Sequence, residues 1–588
     1  MSSLEQYRTV EALEQYLGDP ADASNVFSFE RSVGLDELEL YPEAACDLLE
    51  RWNFSDYYIP AAYGGRLESF EEFVALLRVV ARRDLTVAIA HGKTYLGAVA
   101  GWVGGSLEQR QRLARLIKEG HQVALGLTER GHGSDLLSSE VQATPIPGGY
   151  ALSGEKWLIN NATRSRALTI FARTDERGGP RGFSLFLVEK DDDSSFTHLP
   201  KIKTHGIRGA DISGISFQRH TVADDSIIGS PGAGLEVILK SFQLTRTAIA
   251  GLSLGAADTA LRTAMDFAVA RKLYGDTVFA IPHARRLLTD AFLDLLTCDC
   301  LTTGIVRAAH VATQQMSLWS AIAKYFVPTT VETLVNNLST VLGARHYLRD
   351  DFRSGIFQKI VRDNAILSLF DGSTVVNLNA IALQLKQLAS DRVKPGAHGD
   401  ESLRARLEQI YTLTHPLPEL NPDNLTLSNR KPDLILQGLE TSLSRMSAPE
   451  MEGDVDAEVL RHVQHLTRAL IEEVRRLHQT VRDFNGPCDY ASDKFPELFE
   501  QAERYCVLHA AASCVHLWTH SRERLEEFYR GGEWVVLALA RQLKKLRGVS
   551  ERVPAEYYER AAEQLERLHA ERKSFALVPL QLGTQPCG

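Results

Sequence analysis

The sequence predicts a mainly α-helical protein with a β domain near its middle. Apolar residues recur at helical spacing before about residue 120 and again after Gly234. Between these regions, from Val123 to about Val222, the apolar runs are short and separated by turn residues. Beyond a Pro-rich stretch, a further helical stripe begins near Asp456. The order of helices, β domain and helices narrows the choice of folds.

Length and charge limit the classes of function. A chain of 588 residues has room for several domains. The net charge of -10 argues against a nucleic-acid partner. No apolar run approaches the roughly 20 residues that span a bilayer, and the polar start lacks the pattern of a signal or transit peptide. The seven cysteines form no CxxC or Cys/His cluster. We therefore expect reduced thiols, a cytoplasmic protein and no metal.

Helical spacing predicts the N-terminal region and the bundle. Phe70, Phe73 and Val80 share one helical face in the first region. After Gly234 the pattern predicts four antiparallel helices, typical of a bundle. The first begins near Leu235, and the others span Arg285 to His310, Leu318 to Leu342 and Ile356 to Leu369.

Short apolar runs predict five strands of a small barrel or sandwich, namely 123–127, 157–159, 167–172, 183–188 and 212–217. Five prolines between residues 395 and 432 predict a linker. The predicted segments are an N-terminal helical domain (1–121), a middle β domain (122–228), a four-helix bundle (229–390), a linker (391–455) and an extra C-terminal helical domain (456–588).

Two stretches of the predicted β domain have the composition of a binding site. Leu125–Asp135 ends a strand in a Gly-rich loop whose amides and hydroxyls could bind polar ligand edges. It is not a phosphate loop of the GxGxxG or GxxxxGK type. Gly154–Ala162 is an apolar strand that ends in two asparagines, which can donate to and accept from a heteroaromatic ring. An ordinary turn and an ordinary strand end are the alternatives.

Two further motifs belong to the first bundle helix. Phe242–Arg246 lies within this helix, and Arg271–Gly275 lies at its end. Arginine is a natural partner for a phosphate or pyrophosphate. An Arg-Lys pair before a glycine is also an ordinary helix C-terminus.

The stretch Arg362–Thr374 contains the candidate catalytic residue. A helical run leads to Phe370, the carboxylate of Asp371 and a Gly-Ser turn. A carboxylate fixed behind an aromatic side chain suits a general base. A surface Asp-Gly turn at a helix end is the alternative.

Together these motifs resemble the acyl-CoA dehydrogenase family of flavoenzymes, over about residues 40–390. Thr128–Asp135, Gly154–Ala162 and Gly206–Asp211 are similar to family motifs of the middle domain. Phe242–Arg246, Arg271–Gly275 and Arg362–Ser373 complete the set. The resemblance implies an acyl-CoA dehydrogenase-like fold, FAD, an oligomer and an acyl-thioester substrate.

The resemblance also assigns roles to single residues. It implies Asp371 as the catalytic base. It implies FAD contacts at Leu125, Leu127, Thr128, Gly133, Ser134, Leu158, Ile159, Asn160, Arg271, Leu273, Tyr274, Thr340, Val341, Gly343, Ala344, Ser373 and Val375. It implies substrate contacts at Ser134, Phe242, Gln243, Arg246 and Gly372. The contacts of Arg271, Leu273 and residues 340–344 would reach the FAD of a neighbouring subunit.

The sequence departs from the family pattern at several of these positions. The family usually has Glu where this chain has Asp371, which reaches less far, although nitroalkane oxidases of this fold also use Asp. It often has Trp at the position of Leu158 and usually has Thr-Asn at Asn160-Asn161. Its adenosine-diphosphate loop usually has Gln and paired glycines, where this chain reads Thr-Val-Leu-Gly-Ala from Thr340. Some relatives place the base at the position of Thr245, which cannot act as one.

The leading hypothesis is α,β-dehydrogenation of an acyl thioester, with Asp371 removing the α proton and flavin N5 accepting the β hydride. The carrier would be CoA or an acyl carrier protein, and the electron acceptor an electron-transfer flavoprotein. A flavin oxidase acting on a thioester or nitroalkane, with oxygen as acceptor, is one alternative. A non-catalytic flavin-binding scaffold or stress protein is another. The extra C-terminal domain resembles in size those of very-long-chain dehydrogenases and acyl-CoA oxidases, which favours a homodimer.

Overall fold

The computed structural model describes residues 5–190, 195–390, 399–448, 451, 455–486 and 495–584. Its N-terminal part is helical, as predicted. Ser69 caps one of these helices, and Asp84 both ends that helix and caps the next through the amide of Thr86. The six helices are α1 (Arg8–Leu17), α2 (Phe29–Glu37), α3 (Glu43–Arg51), α4 (Phe70–Arg83), α5 (Leu85–Gly104) and α6 (Leu107–Lys118).

The middle of the chain forms one eight-stranded sheet. Its strands are β1 (Val123–Gly126), β2 (Gln142–Ile146), β3 (Gly149–Asn160), β4 (Ala167–Arg173), β5 (Phe183–Glu189), β6 (Phe196–Leu199), β7 (Ile212–Ala223) and β8 (Ile227–Ile228). The order is β6-β7-β3-β2-β4-β5-β8, and β1 pairs with β4. The five predicted runs all fall on strands, and only the first extends beyond its strand, by Leu127. The prediction missed β2, β6 and β8 because the first two are largely exposed and the third has two residues.

Three long helices form the main part of the bundle, in the predicted order: α7 (Gly234–Ala270), α8 (Pro282–Val311) and α9 (Met316–Leu342). A small hairpin of β9 (Lys272–Leu273) and β10 (Asp276–Thr277) follows α7. Two shorter helices, α10 (Ile356–Asn364) and α11 (Thr374–Ser390), follow α9.

The predicted helix from Ile356 to Leu369 is wrong in its second half. The helix ends at Asn364, and the chain continues in tight turns in which the Leu367 amide donates to the Asn364 carbonyl at 3.0 Å. Lys324 of α9 donates to the Leu367 carbonyl and so takes the place of a helical amide. The turn that carries Asp371 therefore lies between two helices.

The stretch predicted as a linker contains two helices, α12 (Gly399–Tyr411) and α13 (Leu434–Met446). Asp433 caps α13 through the amides of Ile435 and Leu436. Arg307 of α8 donates to the carbonyls of Ile410 and Thr412. This part of the stretch is thus folded against the bundle, and its described prolines lie in the segment between α12 and α13.

The C-terminal region is helical, as its apolar stripe predicts. Its helices are α14 (Ala457–Asp483), α15 (Phe495–Ser521), α16 (Glu527–Gly531), α17 (Glu533–Arg547) and α18 (Ala555–Ala570). After α18 the chain returns to the bundle, where the amides of Phe575 and Leu577 donate to Asp258 and Asp299. Among the described helices, none is long and apolar enough to cross a membrane.

Candidate functional site

Asp371 lies in a turn with an unusual backbone. Its φ is +54° and that of Gly372 is +105°. Asp is one of the residues that tolerate the left-handed region, and glycine adopts it freely. A Cβ at Gly372 would lie 2.8 Å from Nη2 of Arg246. The Asp-Gly pair is therefore required by the turn and by the close approach of Arg246.

The Asp371 side chain is held from two sides. Both carboxylate oxygens accept from Lys93 Nζ of α5, at 3.1 and 3.0 Å, and the two side chains are only 11% and 7% exposed. Arg246 Nε of α7 donates to the Asp371 carbonyl at 2.9 Å. This carboxylate is therefore not a surface turn residue, which removes the alternative raised by the sequence.

Asp371 and Lys93 line a cavity between α4, α5 and α7. Its other described lining is mostly apolar, with Thr245 as its polar exception. The lining residues are Phe73, Leu77, Ala88, Ile89, Gly92, Lys93, Tyr95, Leu96, Thr245, Ala248, Ile249, Leu252, Phe370 and Asp371. The arrangement suits a small apolar group placed against a fixed carboxylate.

Buried cations surround this carboxylate. Two ammonium groups lie near the Phe370 ring, Lys93 Nζ at 3.7 Å and Lys324 Nζ at 5.4 Å from its centroid. Burial lowers the pKa of Lys324 to about 7 and the pKa of Arg246 to about 10. Burial also lowers the pKa of Lys93, an effect that Asp371 opposes.

The loop after β1 is organised by a buried ion pair. Lys156 Nζ of β3 donates to Glu129 Oε1 at 2.6 Å, to Ser139 Oγ at 3.0 Å and to the Leu127 carbonyl at 3.1 Å. Thr128 accepts from the Trp157 amide at 2.9 Å. The contacts fix Leu127 and Thr128 beside β3, whereas Gly133 and Ser134 are exposed further along the loop.

The end of β3 offers unpaired polar groups. Oδ1 of Asn160 is buried without a hydrogen-bond partner, as is Oδ1 of Asn161. Nδ2 of Asn161 donates to the Ala90 carbonyl of α5 at 2.7 Å. Leu158 has a φ of +58° at an irregularity of the β3–β7 ladder and is exposed, while Ile159 is buried.

Helix α5 connects the β domain with the turn that carries Asp371. Its Ala90 and Gly97 carbonyls accept from Asn161 and from Thr169 of β4, the latter at 2.7 Å. Between them, Lys93 contacts Asp371. Asp363, on the helix before the turn, accepts from the Ile207 amide at 2.6 Å. The Gly206–Asp211 motif, α5 and the Asp371 turn therefore meet.

The remaining residues that the sequence predicts to contact FAD or substrate form two groups within a single chain. Phe242, Gln243 and Arg246 are buried on α7, and Gln243 Nε2 donates to the Thr426 carbonyl at 2.7 Å. Leu125 is buried in β1. Gly372 and Ser373 are partly buried in the turn that carries Asp371. Val375 is 60% exposed at the start of α11.

The second group lies far from Asp371. Arg271, Leu273 and Tyr274 follow the end of α7, about 37 Å along that helix from Arg246 at ~1.5 Å per residue. They are exposed, Tyr274 almost completely at 99%. Arg353, after α9, binds Asp266 near the same end of α7 at 2.9 Å. Among the residues at the end of α9, Thr340, Gly343 and Ala344 are exposed and Val341 is buried.

Sequence reasoning missed Lys93 and Lys324. Lys93 is the sole Asp, Glu, Lys or Arg residue of α5, a helix whose residues are almost all buried. Lys324 is likewise buried in the apolar first half of α9. A lone charge in an apolar helix needs a partner when it is buried, and this signal could have been read from the sequence.

Comparison with known proteins agrees with this architecture. Residues 124–220 match the family model of the acyl-CoA dehydrogenase middle domain, and residues 232–386 match that of the acyl-CoA dehydrogenase C-terminal domain. The probable acyl-CoA dehydrogenase FadE25 of Mycobacterium tuberculosis is 27% identical over 343 residues, which are 58% of this chain and 87% of the relative.

Solved structures share the fold. The butyryl-CoA dehydrogenase of Megasphaera elsdenii gives a TM-score of 0.60 at 21% identity, covering 66% of this chain and 99% of that one. The prolyl acyl carrier protein oxidase AnaB gives 0.59 at 20% identity, covering 64% and 98%. An FAD complex of PigA gives 0.59 at 19% identity, covering 66% and 98%.

A β domain docked on a helical bundle is the fold that this chain shares with these solved structures. Its residues 124–220 and 232–386 match the two acyl-CoA dehydrogenase domain models, and one structure of the same fold is an FAD complex. The residues present fit that cofactor, because the unpaired Oδ1 of Asn160 and the ordered loop at Thr128 offer polar groups for a heteroaromatic ring.

Proposed function

We propose that this protein is an FAD-dependent dehydrogenase of an acyl thioester in which Asp371 is the general base. The observation that carries this proposal is the position of Asp371, a fixed carboxylate at one wall of an otherwise largely apolar cavity. A general base must be held at hydrogen-bonding distance from the proton it takes. The left-handed turn and the Arg246 contact to its carbonyl supply that positioning.

The chain's residues would each perform a physical task. Asp371 takes the α proton, and the apolar walls at Ile249 and Leu252 exclude water from the acyl group. The positive charge of Arg246 favours the negative charge that develops on the thioester carbonyl. Leu127, Thr128 and Asn160 would hold the flavin ring. Bound FAD supplies the acceptor for the hydride that leaves the β carbon.

We also propose that a second copy of the chain completes the cofactor site. The segments 271–275 and 340–344 would contact FAD from the neighbouring subunit. Support comes from their exposure in a single chain and from three large exposed side chains nearby, those of Tyr274, Tyr347 and Leu348.

The carrier of the acyl group is CoA or an acyl carrier protein. Curated relatives are named for acyl-CoA substrates, and one protein of this fold is described as a prolyl acyl carrier protein oxidase. An anaerobic titration separates these carriers. The purified yellow protein is mixed with an acyl-CoA series and with the same acyl groups on a carrier protein, while bleaching of the visible flavin band is followed.

The control is Asp371→Asn, which keeps the shape of the side chain and removes the base. We expect bleaching by a thioester in the wild type and a rate lowered by about 10³-fold or more in the variant, since general-base catalysis contributes roughly 10²–10⁴-fold. Equal bleaching rates would exclude Asp371 as the base. No bleaching by any thioester would exclude a dehydrogenase for those substrates. Oxygen consumption during turnover would identify an oxidase.

A further inference from the structure

Lys93 is a buried cation, and the carboxylate that it contacts is that of Asp371, the proposed catalytic base. Its Nζ lies 3.0 Å from Oδ2 and 3.1 Å from Oδ1 of Asp371. It also lies 3.7 Å from the centroid of the Phe370 ring. Asp371 is the one carboxylate among the described residues that line the cavity. The ammonium therefore depends on Asp371 for its compensating charge.

The surroundings of the cavity contain more positive than negative charge. Around Asp371 lie Lys93 on α5, Arg246 on α7 and Lys324 on α9. Arg246 and Lys324 bond to the backbone carbonyls of Asp371 and Leu367, so neither neutralises the carboxylate through a direct ion pair. Glu332 of α9 also acts on Lys324. The two buried cations Lys93 and Arg246 thus share Asp371 as the carboxylate that acts on both.

A paired base cannot take a proton freely, since both Asp371 oxygens accept from Lys93. Releasing Asp371 would leave an ammonium buried and unpaired in a largely apolar cavity, which is strongly unfavourable. A hydrocarbon acyl group offers no replacement partner. A carboxylate on the acyl group offers Lys93 a replacement partner, because it can accept the Lys93 hydrogen bonds while Asp371 faces the α carbon.

We propose that Lys93 is the specificity-determining residue of this cavity and binds a carboxylate at the far end of a short acyl chain. The proposal rests on the proposed function and names its substrate class, a monothioester of a short dicarboxylic acid. The chain is short because the ammonium lies 3.0 Å from the base, so a carboxylate bound there lies only a few carbons beyond the α carbon. The apolar walls contact the methylene groups between the two ends.

Binding can be measured without turnover. The probes are 3-thiaglutaryl-CoA and 3-thiapentanoyl-CoA, which are equal in length and differ in the terminal carboxylate. The sulfur in place of the β carbon has no hydride to give, so both remain unreacted. The dissociation constants are measured by calorimetry on the FAD-loaded wild type, Lys93→Met and Lys93→Arg. Met keeps the length of the side chain without its charge, and Arg keeps the charge.

We expect the wild type to bind the carboxylate analogue at least ten-fold more tightly than the neutral one. Lys93→Met should lose at least ten-fold in affinity for the carboxylate analogue and bind the neutral analogue as well or better. Lys93→Arg should retain the preference. Equal binding of both analogues by the wild type would overturn the proposal, as would equal weakening of both in Lys93→Met.

A turnover measurement distinguishes this failure from failure of the proposed function. If pentanoyl-CoA bleaches the flavin in an Asp371-dependent way and glutaryl-CoA does so no faster, the specificity proposal is wrong and the dehydrogenase stands. If neither thioester bleaches the flavin or binds, both proposals are wrong for these substrates.

Discussion

Single buried residues decide the chemistry of this cavity. Asp371 stands at a position with a φ of +54°, where Asp is better tolerated than most residues, and Gly372 leaves room for Arg246. Lys93 and Lys324 both lie near the Phe370 ring. Because these groups are buried close together, the protonation of one changes the free energy of the others.

Lys324 makes the stability of the protein depend on pH. Burial lowers its pKa to about 7, and Asp371 opposes this while Arg246 and Lys93 add to it. Its ordinary pKa is near 10.5. Between these values the unfolded chain binds the proton more tightly, so the contribution of Lys324 to stability increases with pH.

We therefore expect the wild type to gain stability relative to Lys324→Met as pH rises from about 7 to 10. The gain has an upper limit of ~1.4 kcal/mol per pH unit for one proton. Urea unfolding of both proteins at pH 6, 7.5 and 9, analysed for the first transition, measures the difference. A difference that stays constant with pH would contradict the pKa near 7.

At the scale of elements, one ion pair positions the loop between β1 and β2. Lys156 lies in β3, and Glu129 accepts from it and from the amides of Glu140 and Val141. Burial lowers the pKa of Lys156 to about 8, and Glu129 opposes this shift. The pair thus links β3 to the loop that carries Leu127 and Thr128.

Removing the Lys156 charge should disturb both the loop and the cofactor. Lys156→Met leaves the Glu129 carboxylate buried and unpaired, which costs about 3 kcal/mol or more. We expect a lower melting temperature and at least ten-fold weaker FAD binding, measured from flavin fluorescence during dilution.

The matched control is the double variant Lys156→Met/Glu129→Leu. An apolar pair can replace a buried ion pair without loss of stability, so we expect most of the stability to return. A double variant as unstable as the single one would show that the buried charge of Glu129 is not the cause.

On the scale of the whole molecule, the bundle is joined to the segments that follow it by buried polar contacts. Arg307 of α8 binds Glu71 of α4 and donates to the carbonyls of Ile410, Thr412 and His415 after and within the end of α12. Beyond α18, Arg78 donates to the Phe575 carbonyl at 3.3 Å and pairs with Asp299 at 2.7 Å. The core therefore includes parts of the chain that lie outside the matched family domains.

Arg307→Leu tests whether these buried contacts stabilise the molecule. It leaves Glu71 buried and five backbone carbonyls without this donor, so we expect a loss of about 3 kcal/mol. Arg475→Leu is the control, because Arg475 is 61% exposed in its pairs with Glu440 and Glu472 and should cost under ~0.5 kcal/mol. Thermal unfolding measures both. Equal melting temperatures of the two variants would show that the contacts of Arg307 do not stabilise the molecule.

The sequence by itself predicted the helix–β–helix order, because local periodicity carries this information. Its contiguous motifs carried the resemblance to acyl-CoA dehydrogenases, which implies FAD and a base at Asp371. It misjudged the end of α10, since the Leu367 carbonyl is bonded by Lys324 from 43 residues away in the sequence. The prolines predicted a linker where α12 and α13 are folded, because their spacing does not show what the neighbouring helices pack on. Only the tertiary structure brought Lys93 to Asp371, across 278 residues of sequence. The apolar helix around Lys93 indicates locally that this charge needs a partner, but no local pattern identifies the partner on a distant segment. The strength of the pair depends on a burial that only the assembled cavity provides.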